Sequence, residues 1–413
     1  MYTRLDLAAS AIAVFAWAEY VWLRIYKPKN AAGGYKLRLF EARNAHFDRL
    51  VNTADLRWMG QNTNHLPPHP SVIAAAQASL KNEEFHVYAP PAGFEALRAG
   101  IVEDLGLPGQ VALVSDGAVA SLYHACHTFL RPGDELITTD PTWNWPVAFA
   151  KSVGATVKQI PIYGEEFGYR LAPERLKAAI TERTKIIYIV DPNNPLGSSC
   201  SAEEIQAIAD IAKASRSILI HDCTYRDFAY NHTLAARFFP EQTLTVYSFS
   251  KWLGLAGLRV GALVGHPDLI EKLAAAPPNN LGSSIVSQRA AMAGLAIKKE
   301  WFPSVLTAGR ENQKLIKDAV DAIPGLVMPV YPSNGNFVVI ECTKAGVSPE
   351  ALCAAFSKHN ILIRQGSYHT PVFGDRFIKV SISVPRKWVE EFITLLPSLV
   401  DEVRGRNEPI KLF

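Results

Sequence analysis

Two serines, a lysine, an arginine and several glycines lie close together between Ser248 and Gly261. Hydroxyl groups and an arginine can hold a phosphate through charge-assisted hydrogen bonds. The amine of Lys251 can form an imine with an aldehyde. The alternating residues 244–247, just before this stretch, are typical of the end of a strand. The stretch therefore predicts a site for a small molecule that carries both a phosphate and an aldehyde.

The bulk properties describe an ordinary soluble enzyme. The 413 residues, of which 48% are hydrophobic and 20% charged, are enough for two domains around a large core. A net charge of +3 and the lack of a basic cluster interleaved with aromatics argue against a nucleic acid partner. The five cysteines are scattered, with no CxxC pair and no disulfide framework, so we expect a reducing compartment and no metal site.

Apolar runs alternate with helical periods through the first two thirds of the chain. Segments such as 118–129 and 201–215 have the helical period, and residues 71–80 predict a helix capped by Ser71. This alternation predicts a mostly parallel sheet covered by helices on both faces. The predicted strands are Val111–Val114, Glu135–Thr138, Thr156–Ile160, Lys185–Val190, Ser217–Ile220 and Leu244–Tyr247.

The pattern changes after about residue 300. A helix over 301–322 leads into short strands and a last helix over 386–403, which is typical of a smaller α+β domain. We therefore expect an α/β protein with a large sheet domain and a second, smaller domain. The predicted segments are 1–30 (an apolar helix), 31–65 (the N-terminal part of the small domain), 66–299 (the large domain) and 300–413 (the rest of the small domain).

Polar residues follow the predicted strands at the edge where parallel sheets bind ligands. Gly117 opens a helix, where backbone N–H groups can meet a phosphate. Trp143 follows the next strand, and Asn194 lies in an Asn-Pro turn after another. Asp222 ends an apolar strand, where a carboxylate is costly unless it is paired.

The stretch from Ser248 to Gly261 reads Ser-x-Ser-Lys-x-x-Gly-Leu-x-Gly-x-Arg-x-Gly. It resembles the cofactor-lysine signature of pyridoxal 5'-phosphate (PLP) enzymes of fold type I, and most of all that of histidinol-phosphate-type class I/II aminotransferases. The turn over 191–197 resembles their Asn-Pro-x-Asn-Pro-x-Gly motif. The segment from Tyr88 to Arg98 resembles their Tyr-x-x-x-x-Gly-x-x-x-Leu-Arg motif.

The resemblance implies a role for each matching residue. Lys251 would hold PLP as an internal aldimine and act as base, and Asp222 would pair with the protonated pyridine nitrogen. Tyr225 and Asn194 would bond the phenolic oxygen, and Trp143 would stack on the ring. Tyr88 would reach the phosphate of a neighbouring subunit, which implies a homodimer with shared active sites. The implied phosphate ligands are Gly117, Ala118, Val119, Ser248, Ser250 and Arg259.

The late strand departs from the family pattern. Lys379 stands where the family has an arginine that forks onto the substrate carboxylate, and a lysine offers only a point charge. Either the carboxylate is held differently or the substrate lacks one. Arg364, Arg376 and Arg386 are nearby in sequence and are candidate replacements. Asn64 and Asn336 complete the predicted substrate ligands.

Three functions are open at this point. The leading one is an aminotransferase that passes an amino group between an amine and a keto acid through pyridoxamine phosphate. The altered carboxylate strand favours a rival, namely a PLP-dependent lyase, decarboxylase, cyclase or oxidase of specialised metabolism. A non-catalytic binding or regulatory module is the third, and the intact lysine motif opposes it.

The N-terminal residues 7–23 are apolar apart from Ser10 and Glu19. This segment fits a membrane anchor, a helical arm on a partner subunit or a signal peptide. Glu19 weakens a full span, because a carboxylate in mid-membrane costs roughly 3 kcal/mol. The signal peptide is the least favoured, because PLP is an intracellular cofactor. We expect a cytoplasmic enzyme and leave membrane association through these residues open.

Overall fold

The computed structural model describes residues 39–275 and 281–406. The apolar residues 7–23 lie outside the described residues. Within the described ranges, no helix is both long enough and apolar enough to cross a membrane. The chain divides into two compact units, one that ends at Leu56 and one that begins at Arg57. The described part of the first unit contains helix α1, Leu39–Val51.

The centre of the second unit is a seven-stranded sheet. Its strand order is β2-β8-β7-β6-β5-β3-β4. The pairs from β7 to β4 are parallel, whereas β8 is antiparallel to both of its neighbours. These strands are β2 (Val111–Ser115), β3 (Glu135–Asp140), β4 (Thr156–Pro161), β5 (Thr184–Val190), β6 (Ile218–Asp222), β7 (Thr243–Ser248) and β8 (Gly261–Gly265). The predicted mostly parallel sheet is confirmed. Strand β8 was not predicted, because it is rich in small residues and begins at Gly261, the last residue of the lysine motif.

Helices connect and cover the strands of this sheet. The helix predicted over 71–80 is present as α2, but its predicted cap is wrong. The N-cap is His69, whose Nδ1 accepts the N–H of Ser71 at 3.3 Å, so that Ser71 lies in the first turn. The covering helices are α2 (Pro70–Lys81), α3 (Glu95–Leu105), α4 (Ala118–Phe129), α5 (Trp145–Ser152), α6 (Pro173–Ala179), α7 (Ala202–Ser215) and α8 (Pro267–Ala274).

A smaller α+β part follows the sheet. Its three-stranded antiparallel sheet has the order β11-β12-β9, and β10 pairs in parallel with β1. The long helix α9 begins well before the predicted start at residue 301. The elements are β1 (Arg57–Trp58), α9 (Ile285–Asp321), β9 (Phe337–Glu341), α10 (Pro349–Ser357), β10 (Ile361–Leu362), β11 (Arg364–Gln365), β12 (Phe377–Ser381) and α11 (Arg386–Val403).

Separate hydrophobic cores support the two sheets. The core of the C-terminal part includes Met59 together with Val338, Phe356 and Phe392. Met59 is fully buried there, and its carbonyl accepts the N–H of Ser381 at 2.6 Å, so the segment after β1 folds with the C-terminal strands. The predicted fold class, a helix-covered α/β sheet with a smaller α+β part, is confirmed. The predicted domain limits at residues 30, 65 and 299 stay predictions.

Candidate active site

Lys251 lies in the turn that follows β7. Its Nζ donates a hydrogen bond to the carbonyl of Gln61 at 3.1 Å. Burial and, to a lesser extent, the charge of Arg259 lower the pKa of this amine to about 8, while the charge of Asp222 acts in the opposite direction. A minority of the amine is therefore neutral near physiological pH, a far larger fraction than for an ordinary lysine.

Asp222 is the last residue of β6 and is 4% exposed. Its Oδ2 accepts the hydroxyl of Tyr188 at 3.1 Å, and its Oδ1 accepts the N–H of Thr224 at 3.1 Å. Burial raises the pKa of this carboxyl group, while the hydrogen bonds from Thr224 and Tyr188 oppose the rise. The carboxylate is thus held rigidly at the end of a buried strand.

A phenol and two amides form a buried cluster next to this edge of the sheet. The hydroxyl oxygen of Tyr225 accepts Nδ2 of Asn62 at 3.1 Å and Nδ2 of Asn194 at 3.2 Å. The Oδ1 of Asn194 accepts Nζ of Lys379 at 3.4 Å. Asn336, which is fully buried, donates its Nδ2 to the carbonyl of Asn62 at 2.9 Å.

Sequence reasoning missed Asn62. The Asn-x-Asn pair in this proline-rich loop points to both asparagines, but the sequence analysis assigns a role only to Asn64, as a substrate ligand. The amide of Asn64 bonds two backbone groups: its Nδ2 donates to the Trp252 carbonyl at 3.0 Å and its Oδ1 accepts the N–H of Leu66 at 3.0 Å. Its role as a substrate ligand stays a prediction.

Lys379 is paired across the antiparallel strands with Arg364, and both residues are 3% exposed. Residues directly opposite in such a pair present their side chains on the same face. Burial holds the pKa of Lys379 well below its usual value, and the charges of Arg364 and Lys251 lower it further. The other candidate arginines lie elsewhere: Arg376 bonds Glu341 and Arg386 bonds Glu390.

The start of α4 adjoins the lysine motif. Gly117 has φ +85°, and a Cβ atom there would overlap the guanidinium of Arg259. Arg259 donates to the carbonyls of Ala256 at 2.8 Å and Asp116 at 3.4 Å. A Cβ at Gly261 would lie 2.7 Å from the backbone nitrogen of Ala118, so glycine is required at both places.

The predicted phosphate ligands converge around this helix start. Gly261 is aligned with Ser248 on one side and Ser115 on the other, so the end of β7 lies beside the loop that leads to Ala118 and Val119. Ser248 and Ser250 are both buried, and the Ser250 N–H donates to the Ser248 hydroxyl at 3.3 Å. First-turn N–H groups have no acceptor within their own helix.

Trp143 and Tyr88 complete the predicted cofactor ligands. Trp143 packs against the hydrophobic core that covers one face of the seven-stranded sheet, and it is partly exposed. Tyr88 is 76% exposed. Their predicted roles, in ring stacking and in reaching a neighbouring subunit, stay predictions.

A second polar cluster lies on the other side of β6 from Asp222. The ligand atoms of His221, Cys223 and His232 all lie within 4.8 Å of one another. However, Nδ1 of His221 accepts the N–H of Ala235 at 3.2 Å, so Nε2 carries the ring proton and faces Asp191 at 3.9 Å. The geometry is therefore that of two histidines beside a buried carboxylate, with Nε2 of His232 3.3 Å from Oδ2 of Asp191, and His221 has no lone pair left for a metal.

Comparison with known proteins agrees with this geometry. The model of the family aminotransferase class I and II matches residues 54–396. An aspartate/prephenate aminotransferase of Thermus thermophilus is 30% identical over 331 residues, which cover 77% of this chain and 82% of the relative. Histidinol-phosphate aminotransferase 1 of Mesorhizobium japonicum is 27% identical and covers 83% of this chain and 90% of its own length.

Solved structures of the same kind share the fold. The aspartate aminotransferase from Thermus thermophilus with maleate superposes with a TM-score of 0.75 at 23% identity, covering 87% of this chain and 95% of that one. The N-succinyldiaminopimelate aminotransferase from Mycobacterium tuberculosis gives 0.77 at 23% identity, covering 86% and 96%. The chain therefore belongs to the aminotransferase class I and II family, and the prediction of an aminotransferase is confirmed.

Proposed function

We propose that this aminotransferase uses PLP and moves the amino group of an α-amino acid to a keto acid. The observation that carries the proposal is the contact between Nζ of Lys379 and Oδ1 of Asn194, at 3.4 Å. It brings an anion-binding ammonium group into the cluster that contains Tyr225, and the charge of Lys251 acts on the same ammonium group. The reactive amine of Lys251 and the carboxylate-binding ammonium group of Lys379 thus belong to one proposed site.

The residues fit PLP at each of its polar ends. The first-turn N–H groups of α4, with Arg259 lying where any side chain at Gly117 would collide, suit a phosphate. The buried carboxyl group of Asp222 suits a protonated ring nitrogen. The amide of Asn194 and the hydroxyl of Tyr225 supply donors for the ring oxygen.

Bound PLP supplies an electron sink that draws electrons from the substrate Cα. Lys251 would hold the cofactor through its aldehyde, and the free amine of Lys251 would accept the proton from the substrate Cα. Its lowered pKa, about 8, makes the neutral amine that accepts this proton more abundant than in an ordinary lysine. Asp222 keeps the ring nitrogen protonated, because moving a proton onto this carboxylate would leave the nitrogen without an ionic partner.

Lys379 and Arg364 are the groups we assign to the substrate carboxylate. Both are buried, and they face each other across β11 and β12. A buried ammonium group needs an opposite charge, and a carboxylate can supply it. Arg364 adds the planar guanidinium group that Lys379 lacks. It can therefore replace the arginine that the late strand does not have.

We also propose a homodimer with shared sites, which the exposed Tyr88 supports. A tyrosine that is 76% exposed, beside Val87 at 63% and Phe85 at 57%, leaves a contiguous stretch of apolar side chains to be covered. A second copy of the chain would cover it and would bring Tyr88 to the neighbouring phosphate.

The experiment is a half-reaction. The purified enzyme is loaded with PLP and mixed with an α-amino acid but no keto acid, and the visible absorption band is followed. We expect the band to disappear with one equivalent of keto acid formed, because an aminotransferase stops at this stage. A band that returns without a keto acid would indicate the rival lyase or decarboxylase chemistry. A chain that never acquires the band would overturn the assignment of PLP.

A further inference from the structure

We propose that Asn62 is a positioning residue that sets the direction of the Tyr225 hydroxyl proton. This inference rests on the proposed function, because the proton is aimed at the ring oxygen of the cofactor. Asn62 is 1% exposed and lies in a loop, before the seven-stranded sheet begins. It acts through Tyr225.

The argument starts from the donors around the phenol oxygen. Nδ2 of Asn62 and Nδ2 of Asn194 reach it at 3.1 and 3.2 Å. Two N–H donors occupy the lone pairs of a hydroxyl oxygen, so its own proton must point away from both amides. Asn194 alone would leave one lone pair open, and the hydroxyl group could then rotate.

The orientation of both amides follows from Lys379, which can only donate. Its Nζ lies 3.4 Å from one terminal atom of Asn194, so that atom is the oxygen, and the nitrogen faces Tyr225. The nearest terminal atom of Asn62 lies 3.5 Å from that same oxygen. An oxygen of Asn62 would repel it, so the Asn62 amide also turns its nitrogen towards Tyr225.

The backbone of Asn62 is held where glycine or asparagine is favoured. Its φ is +55°, a left-handed value that asparagine tolerates better than most residues. Its N–H donates to the Ser381 hydroxyl at 2.9 Å, and its carbonyl accepts the Asn336 amide at 2.9 Å. The three-stranded sheet therefore fixes the residue that orients a phenol at the edge of the seven-stranded sheet.

Two variants separate this role from a merely structural one. Asn62→Gly keeps the left-handed backbone and removes the donor. Asn62→Asp keeps the shape, but its carboxylate accepts the Tyr225 proton and turns it away from the site. The matched control is Asn360→Gly, because Asn360 has φ +56° and an exposed side chain remote from this cluster.

The readout is the pH midpoint of the visible band of the PLP-loaded enzyme, together with kcat and the melting temperature of the enzyme without PLP. Weaker donation to the ring oxygen leaves more electron density there, which holds the neighbouring proton more tightly and raises the midpoint. We expect a rise of about 0.5 pH unit for Asn62→Gly, a larger rise for Asn62→Asp, and none for Asn360→Gly.

A structural role predicts the opposite order, since glycine removes all the side-chain contacts and aspartate keeps the shape. Equal midpoints in the wild type and both Asn62 variants would overturn the inference while leaving the proposed function intact. A larger shift for glycine than for aspartate would also overturn it. If the wild type itself forms no band with PLP, the proposed function fails first.

Discussion

The two sides of the site differ in how their charges are balanced. On the seven-stranded sheet, Asp222 is held by Tyr188 and Thr224, and the buried Asp191 is surrounded by two histidines. On the three-stranded sheet, the charges that lower the pKa of Lys379 come from other cations, Arg364 and Lys251. The carboxyl groups of the first side have hydrogen-bond or ionic partners within the chain. By the proposed function, the cations of the second side would gain their opposite charge from the substrate carboxylate.

The two sides of the site also differ in how closely their sequences match the family motifs. The side that matches the family motifs is the one whose partners lie within the chain, and the side that departs from them is the one that we assign to the substrate carboxylate. By the proposed function, we expect the cofactor side to carry the general chemistry and the substrate side to carry the selectivity. Three predictions test this division, in order of decreasing effect.

Replacing Lys251 with alanine should give the largest effect. The variant lacks the amine that bonds the aldehyde and moves the proton, so we expect no visible band with PLP and at least about a 10³-fold loss of turnover. Absorbance and steady-state rates check this. The exposed Lys299 in helix α9 provides the control, Lys299→Ala, which should keep both the band and the rate. A normal visible band in Lys251→Ala would contradict the assignment of Lys251 to the cofactor.

Replacing Lys379 with methionine should weaken substrate binding and leave the band unchanged. A charge-assisted hydrogen bond to a carboxylate is lost, so we expect KM for an amino acid to rise roughly 10- to 100-fold. An amine that lacks a carboxylate should react equally well with both enzymes. Equal KM values for the amino acid would show that Lys379 does not hold the carboxylate.

The pH dependence sharpens this second test. Burial and two neighbouring cations lower the pKa of Lys379, so its charge is lost at a lower pH than for an ordinary lysine. KM for the amino acid should therefore rise as the pH rises, and the rise should be smaller in Lys379→Arg, because arginine stays charged. A parallel rise in both enzymes would assign the titration to another group.

Replacing Asp191 with asparagine should give the smallest effect, on stability. Burial raises the pKa of Asp191, but hydrogen bonds and charges from His221 and His232 outweigh it, and the pKa lies well below the usual value. A depressed pKa stabilises the folded state above about pH 4, and this contribution is lost as the pH falls. We expect a lower melting temperature at pH 7 and a difference from the wild type that shrinks below about pH 4. A constant difference would contradict the charge balance proposed for this side.

The elements that could be foreseen are those with a clear period. The strands β5 and β6 and the amphipathic helix α11 match the predictions to within a few residues, because each strand is a nearly continuous buried run and the helix buries one continuous face. The lysine, aspartate and asparagine motifs were identified by their resemblance to the family's motifs together with their positions at strand ends. The roles of those residues remain proposals, but their convergence at one edge is a consequence of the parallel order.

The loop before the sheet could not be foreseen in the same way. Asn62 and Asn64 are chemically identical, and the segment has no period to say which one faces inward. The choice is made by Ser381 and Asn336, more than 270 residues later, through hydrogen bonds to the Asn62 backbone. Likewise, Arg364 was one of three candidate arginines until its strand register with Lys379 set it apart.

Helix α9 joins the surroundings of both sheets, since it packs against α2 and α3 near its start and against α11 further on. Pro303 lies inside it and has no N–H to give to the carbonyl of Lys299. One backbone hydrogen bond of the helix is therefore missing between these two stretches. We therefore expect any bending of α9 to be centred on Pro303, because helices bend most readily where proline removes a backbone hydrogen bond.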